Sequence, residues 1–225
     1  MRALIFAAGK GERMRPLTVH TPKPLLEVGG KPLIVWHIEK LAAIGVRDIV
    51  VNTSWLAGRF PEVLGDGARW GVRLHYSFEG SEPLETGGGM RLALPLLGDA
   101  PFIAINGDIW TDFDFSRLPL QPSGLAHAVL VPMPAFRKAG EFERLASALL
   151  PDHDGSLHTF SGIAVYRPAF IAHREHGTYS LTPELIACAR DGRLSVDALR
   201  GHWQDVGTPE RLGELDAALR GAVGQ

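Results

Sequence analysis

The run Ala3-Leu4-Ile5-Phe6-Ala7 breaks into Ala8-Gly9-Lys10-Gly11-Glu12-Arg13-Met14-Arg15, and this junction limits what the chain can fold into more than any other stretch. A short continuous apolar run that stops at a glycine turn reads as a strand buried on both faces, the kind found inside a parallel sheet. Gly9 and Gly11 carry no side chains, so backbone N–H groups there can come close to a ligand. Arg13, Arg15 and Lys23 add cations. Amides that cradle oxygens, guanidinium forks and a lysine point charge together suit a polyphosphate. The spacing excludes two common phosphate loops. Gly-x-x-x-x-Gly-Lys-Ser/Thr is not formed here, and Met14 stands where a dinucleotide fingerprint needs its third glycine.

The residues that follow alternate in period. Pro32 can open a helix whose apolar face is Leu33, Ile34, His37, Ile38, Leu41 and Ala42, with Gly45 past its end. Asp48 to Asn52 reads as a strand, Leu56 to Leu64 as a helix and Val72 to Tyr76 as a strand. Such alternation implies right-handed crossovers and a largely parallel sheet, with ligands beyond the carboxyl ends of the strands. The glycine loop, Asn52 and Glu79 all follow strands, so all can line one crevice. In Glu79 to Gly89, Gly87-Gly88-Gly89 precede a predicted helix through Met90, Leu92 and Leu94. Helix-start amides and exposed acceptors suit a base edge or a ribose, although the stretch alone also reads as a linker. Phe102 to Ile105 is a predicted strand that ends in Asn106-Gly107-Asp108 and sets a carboxylate over the crevice. Mg²⁺ usually takes one or two carboxylates plus phosphate oxygens.

The second half is less legible. Ala126 to Val131 reads as a strand broken by Pro132 and Pro134, and Ala135 to His158 as loops and hairpins. Thr159 to Tyr166 reads as a strand with Gly162 at a point of close approach. Thr208 can cap a helix that starts at Pro209, with Asp205 just before the turn. A chain of 225 residues fits one α/β domain or two intimately packed lobes. A net charge of -2 argues against broad nucleic-acid binding. Cys188 is the single cysteine, so no internal disulfide forms, and the histidines show no zinc-ligand spacing. The first apolar run is too short for a signal-peptide core, and no window approaches the ~18 apolar residues of a membrane span. A soluble cytoplasmic protein is the expectation, with no membrane partner and no sequence signal for an oligomeric state.

Gly-x-Gly-x-Arg-Met-Arg-Pro-Leu-Thr followed by Pro-Lys-Pro resembles the signature loop of the nucleoside-diphosphate-sugar pyrophosphorylases, which are sugar-1-phosphate nucleotidyltransferases. Trp-x-Asp-x-Gly-Thr-Pro-Glu at residues 203–210 is similar to that family's closing motif. Pro-Leu-Glu-Thr-Gly-Gly, with Glu85 where the family commonly has glycine, resembles one branch, the N-acetylmuramate α-1-phosphate uridylyltransferases of peptidoglycan recycling. The resemblance implies a Rossmann-like, mixed but mainly parallel sheet flanked by helices, with a small sugar-binding lobe. Residues 1–110 would serve the nucleotide and 111–225 the sugar phosphate.

The implied reaction joins a sugar 1-phosphate to a nucleoside triphosphate and releases pyrophosphate. N-acetylmuramic acid 1-phosphate and UTP are the favoured pair, and a mannose-1-phosphate guanylyltransferase or another hexose-1-phosphate nucleotidyltransferase is the alternative. The resemblance assigns Arg15 and Lys23 to catalysis, and Asp108 and Asp205 to Mg²⁺. It gives Ala7, Ala8, Gly9, Gly11, Glu12, Arg13, Asn52, Glu79, Glu85, Thr86 and Gly88 to the nucleotide. Asn106, Thr159, Ser161 and Gly162 go to the sugar phosphate. The Glu-Lys-Pro motif with which longer relatives contact the sugar phosphate is missing. A nucleotide-sugar-binding module without turnover is disfavoured, because Arg15, Lys23, Asp108 and Asp205 are all present.

Overall fold

A computed structural model describes residues 1–135, 138–152 and 154–223. The first half runs β1 (Arg2–Phe6), β2 (Glu27–Val28), β3 (Lys31–Pro32), α1 (Leu33–Ala43), β4 (Asp48–Thr53), α2 (Arg59–Leu64), β5 (Arg73–Phe78) and α3 (Glu85–Leu97). Then follow β6 (Phe102–Asn106), β7 (Ile109–Thr111), β8 (Ala126–Pro132), α4 (Glu141–Ala148) and β9 (His158–Tyr166). The chain closes with α5 (Thr182–Arg190), β10 (Leu194–Ala198), β11 (Trp203–Asp205) and α6 (Pro209–Val223).

Seven strands form one sheet in the order β10-β8-β9-β6-β1-β4-β5. β1 pairs in parallel with β4 and β6, β4 with β5, and β8 with β10. Only β9 runs the other way, antiparallel to β6 and β8. The sheet is thus mixed and mostly parallel. All strands but β9 end on one edge, where their loops converge. Because β6 pairs with β9, the two halves of the chain share a single sheet.

The period of two along each strand feeds two cores. Ala3, Ile5, Ile49, Val51, Ile103 and Ile105 pack on one face with Ile34, Ile38 and Leu41 of α1. Leu4, Val50, Phe102 and Ala104 face the other way, onto Met90, Ala93 and Leu97 of α3 and Leu185 and Cys188 of α5. Burial on both faces is why these strands read as unbroken apolar runs. A third, smaller core joins the two ends of the chain. Met14 meets Val28, Leu33, Val206 and Leu215 there, with no exposed surface of its own. The methionine that breaks the dinucleotide pattern is therefore the anchor that ties the N-terminal loop to the start of α6.

Several boundaries differ from the sequence reading. α2 starts at Arg59 rather than Leu56, because Leu56 has φ 51°, in the left-handed region a helix does not use. α3 begins at Glu85, so the three glycines lie inside its first turns rather than before it. The stretch expected to be loops contains α4, whose Gly140 N–H is capped by Glu143 Oε2 at 2.8 Å. Of that stretch, residues 136, 137 and His153 lie outside the described residues. β10 was not anticipated. Its Leu194 and Val196 alternate with Ser195 and Asp197, the pattern of an edge strand buried on one face.

Candidate active site

The carboxyl edge of the sheet opens into a cavity of about 690 Å³ between the β1 loop and the loop before α3. Ala7, Ala8, Gly9, Gly11, Glu12 and Arg13 line it on one side. Asn52, Glu79, Glu85 and Thr86 line the other, and Lys23, Asn106 and Asp108 close the remaining wall. Gly9 has open space where a Cβ would stand. Gly11 is different. It sits at φ +64° at the start of a 3₁₀ turn, Glu12–Met14, and a Cβ there would lie 2.9 Å from Thr18 Cγ2. Thr18 Oγ1 also donates to the Gly11 carbonyl at 2.8 Å, which holds the turn against the segment that carries Lys23.

One hydrogen-bond chain spans the cleft. The Ala7 N–H donates to Asn52 Oδ1 at 2.6 Å, which fixes the amide so that Nδ2 donates to Glu79 Oε1 at 2.5 Å. Glu79 Oε2 accepts from the Leu84 N–H at 2.7 Å. Burial pushes the Glu79 carboxyl above its usual range, and the Leu84 and Asn52 hydrogen bonds oppose that shift. At the mouth, Lys10 Nζ meets Glu82 Oε2 at 2.6 Å. Glu85 has φ 59°, a conformation that suits glycine and costs another residue about 1–2 kcal/mol.

The charged centre lies where β6 ends. Lys23 is held on a 3₁₀ turn, Lys23–Leu25, and is 7% exposed overall. Its Nζ donates to Asp108 Oδ2 at 2.8 Å. Asp205 arrives from the far end of the sequence through a two-stranded ribbon, in which β11 runs antiparallel to β7 and Asp205 is opposite Ile109. The Val206 N–H donates to the Asp108 carbonyl at 3.0 Å, so the two acidic residues are backbone neighbours. Underneath, the buried His37 ring nitrogen Nε2 donates to the Ile109 carbonyl at 2.8 Å. Burial depresses the His37 pKa to about 4, which keeps this support neutral near pH 7.

Six of the expected residues do not line this cavity. Arg15 is exposed, two positions beyond Arg13 on the same turn. Asp205 lines an adjoining cavity instead. Gly88 is buried inside α3, where a Cβ would lie 2.0 Å from the Gly177 carbonyl oxygen. Thr159 is buried, and its hydroxyl donates to Glu143 Oε1 at 3.1 Å. Ser161 is also buried, and its Oγ accepts from the Ile163 N–H at 3.2 Å. Gly162, at φ +88°, makes room for Asn106, whose Nδ2 would be 2.8 Å from a Cβ there. Gly162 thus serves the cleft indirectly, by letting Asn106 face it. Lys10, Pro24, Pro83 and Gly207 line the cavity without having been singled out. Each lies within a motif that was read, so their neighbours carried the signal.

These observations define a cleft at the carboxyl edge of a mostly parallel sheet, walled by a glycine loop and with a lysine–aspartate pair in it. Residues 2–129 match the family described as nucleotidyl transferase, and the chain belongs to that family. Among particular relatives, it is 46% identical to the N-acetylmuramate alpha-1-phosphate uridylyltransferase of Neisseria meningitidis serogroup B, over 99% of both chains. It is 33% identical to the mannose-1-phosphate guanyltransferase of Aspergillus fumigatus, over 93% of this chain and 62% of that protein. In fold, it matches a Bacillus anthracis protein assigned as a glucose-1-phosphate thymidylyltransferase and solved with sucrose. The TM-score is 0.81 at 22% identity, with 98% of this chain and 96% of that one covered.

Proposed function

We propose that the protein transfers a uridylyl group from UTP to N-acetylmuramic acid 1-phosphate, giving UDP-N-acetylmuramic acid and pyrophosphate. The observation that carries the reaction class is the convergence of the glycine loop, Lys23 and Asp108 in one cleft. The near-full-length identity to the meningococcal uridylyltransferase supports this substrate pair over mannose 1-phosphate and GTP.

An oxygen of the sugar phosphate attacks the α-phosphorus, and pyrophosphate leaves in line. The attacking group is already ionised, so alignment and charge neutralisation do most of the catalysis. Two unit charges 4 Å apart repel by ~4 kcal/mol at an effective dielectric near 20. Lys23 offsets this at the α-phosphate, and the β1 loop offers amides from Gly9 and Gly11. Arg13 in the cleft wall offsets the departing pyrophosphate charge, and Arg15, exposed outside the cavity, adds a more distant positive charge. Asn52, Glu79, Glu85 and Thr86 hold the nucleoside side, and Asn106 reaches toward the sugar phosphate.

The donor set fits Mg²⁺. Among the described residues no group of three or more His, Cys, Asp or Glu forms a protein cage. Asp108 and Asp205 instead offer the one or two carboxylates that Mg²⁺ combines with phosphate oxygens. Both residues would hold the ion, which when bound supplies positive charge to the phosphate oxygens. Asp108→Asn is expected to abolish Mg²⁺-dependent turnover.

The deciding experiment incubates the enzyme with each of four nucleoside triphosphates and several sugar 1-phosphates, and reads the mass of the sugar nucleotide formed. UDP-N-acetylmuramic acid is the expected product, and a dominant GDP-mannose signal overturns the substrate assignment. Lys23→Ala is expected to lower kcat about 10²- to 10³-fold, the scale for losing one charge-stabilising group. Pyrophosphate release near the wild-type rate removes Lys23 from the mechanism.

A further inference from the structure

Beyond the ribbon of β7 and β11 lies a second cavity of about 480 Å³, within the range of small-molecule sites. It opens on the same carboxyl edge of the sheet. Val131 and Pro132 come from the end of β8, Leu199 follows β10, and Trp203 stands on β11. These residues make an apolar wall, and Trp203 Nε1 is anchored on the Ser161 carbonyl at 2.8 Å. Asp205 lines this second space while Gly207 lines the first, so the two cavities are neighbours.

Arg211 is the single cation among the described lining residues. It stands at the boundary. A Cβ on Gly207 would lie 3.4 Å from both Arg211 Nη1 and Asp205 Oδ2. The Arg211 backbone is fixed by two hydrogen bonds. Its N–H donates to Thr208 Oγ1 at 3.4 Å, and its carbonyl accepts from Gln204 Nε2 at 2.8 Å. Its Nη1 is 3.5 Å from Asp205 Oδ2. A guanidinium carries five N–H donors in a planar fork, so one group can serve Asp205 and a ligand carboxylate together.

We propose that this second cavity receives the sugar of an acidic sugar 1-phosphate, and that Arg211 reads the carboxylate on that sugar. The inference rests on the reaction proposed above and adds the residue that selects the acceptor. The apolar wall takes the C–H face of the pyranose ring, and the guanidinium forms a charge-assisted pair with the acid. Glu214 lines the same cavity three residues after Arg211. With Asp205 it repels an anion placed anywhere but at the guanidinium, which sharpens the selection.

The test measures pyrophosphate release with UTP and two acceptors, N-acetylmuramic acid 1-phosphate and its analogue with the lactyl carboxylate converted to a carboxamide. The wild-type KM is expected to be about 10- to 100-fold lower for the acid, the factor for a hydrogen bond to a charged group. Arg211→Met is expected to raise the KM for the acid to the level of the amide and to erase the preference. The KM for UTP stays within about 2-fold, and Arg211→Lys keeps part of the preference. The acid/amide ratio is a readout that a merely structural role for Arg211 does not move. A wild-type enzyme that treats acid and amide alike overturns the inference, as does an Arg211→Met enzyme that keeps the full preference. The first of these needs no variant to fold. Absence of wild-type turnover with either acceptor overturns the reaction assignment itself, a result distinct from turnover without acid preference.

Discussion

Two glycine-rich stretches stand on opposite sides of the cleft and do opposite work. In the β1 loop, Gly9 has nothing among the described residues within 4 Å of a would-be Cβ, so its missing side chain leaves space for a ligand. In α3, that space is already filled by the protein. A Cβ on Gly87 would lie 2.5 Å from the Tyr179 ring, one on Gly88 2.0 Å from the Gly177 carbonyl, and one on Gly89 2.2 Å from Glu79 Oε1. The Gly87 and Gly88 N–H groups both donate to the Tyr179 carbonyl, at 2.8 and 3.1 Å. One stretch of glycine exposes backbone to the cleft. The other lets a helix press against the segment before α5 and against the Asn52–Glu79 pair.

The largest effect that tests this contrast is Gly88→Ala. The clash is with backbone, which cannot swing aside, and overpacking of this kind costs about 3 kcal/mol. In a chain of this length a loss of that size lowers Tm by about 6–12 °C. Thermal unfolding followed by circular dichroism checks it. A variant as stable as wild type shows that α3 is not packed as described, and returns Gly88 to the list of ligand contacts.

Glu79→Gln comes next. Glu79 accepts from both Asn52 and Leu84, and Asn52 cannot turn because its oxygen already serves the Ala7 N–H. Glutamine has one acceptor oxygen, so its amide must face one of the two donors. A buried donor without a partner costs about 1–3 kcal/mol. The pH dependence has a definite sign. The folded-state pKa of Glu79 is raised, so the folded protein holds the proton more tightly than the unfolded chain. That contribution is complete below the ordinary glutamate pKa and is lost as pH rises through the raised value. The stability gap between wild type and Glu79→Gln therefore widens toward acid. Urea midpoints at a series of pH values measure it, and a gap that narrows toward acid contradicts the buried placement of this carboxyl.

The same two stretches show how far the sequence could be read. The sheet was legible because its strands are buried on both faces, so Ala3 to Ala7 and Phe102 to Ile105 stand out as apolar runs. The cleft was legible where side chains had one plausible use, as with Lys23, Asp108 and Asn52. It was not legible where glycine was the signal. A missing Cβ reads the same whether a ligand or a helix fills the space, and only the fold brings Gly177 to Gly88. The hydroxyls of Thr159 and Ser161 were ambiguous for a related reason. A strand pattern gives alternation, but Glu143 of α4 claims Thr159, and α4 is a helix of 8 residues too short to announce itself. Arg211 escaped notice because its meaning depends on a cavity assembled from β8, β11 and α6.

Gly9→Ala makes the smallest change to the fold and isolates the other half of the contrast. Gly9 has no positive φ and no neighbour among the described residues to strike, so stability should stay within about 0.5 kcal/mol of wild type. The methyl group enters the nucleotide cleft instead. There it displaces a ligand oxygen from the loop amides, and losing one such hydrogen bond corresponds to about a tenfold rise in the KM for UTP. Gly88→Ala should do the reverse, losing stability at a KM that changes little in the molecules that remain folded. Measuring Tm and KM for both variants separates the two uses of glycine. If Gly9→Ala binds UTP as wild type does, the loop amides are not the triphosphate's partners, and Lys23 and the arginines must hold it alone.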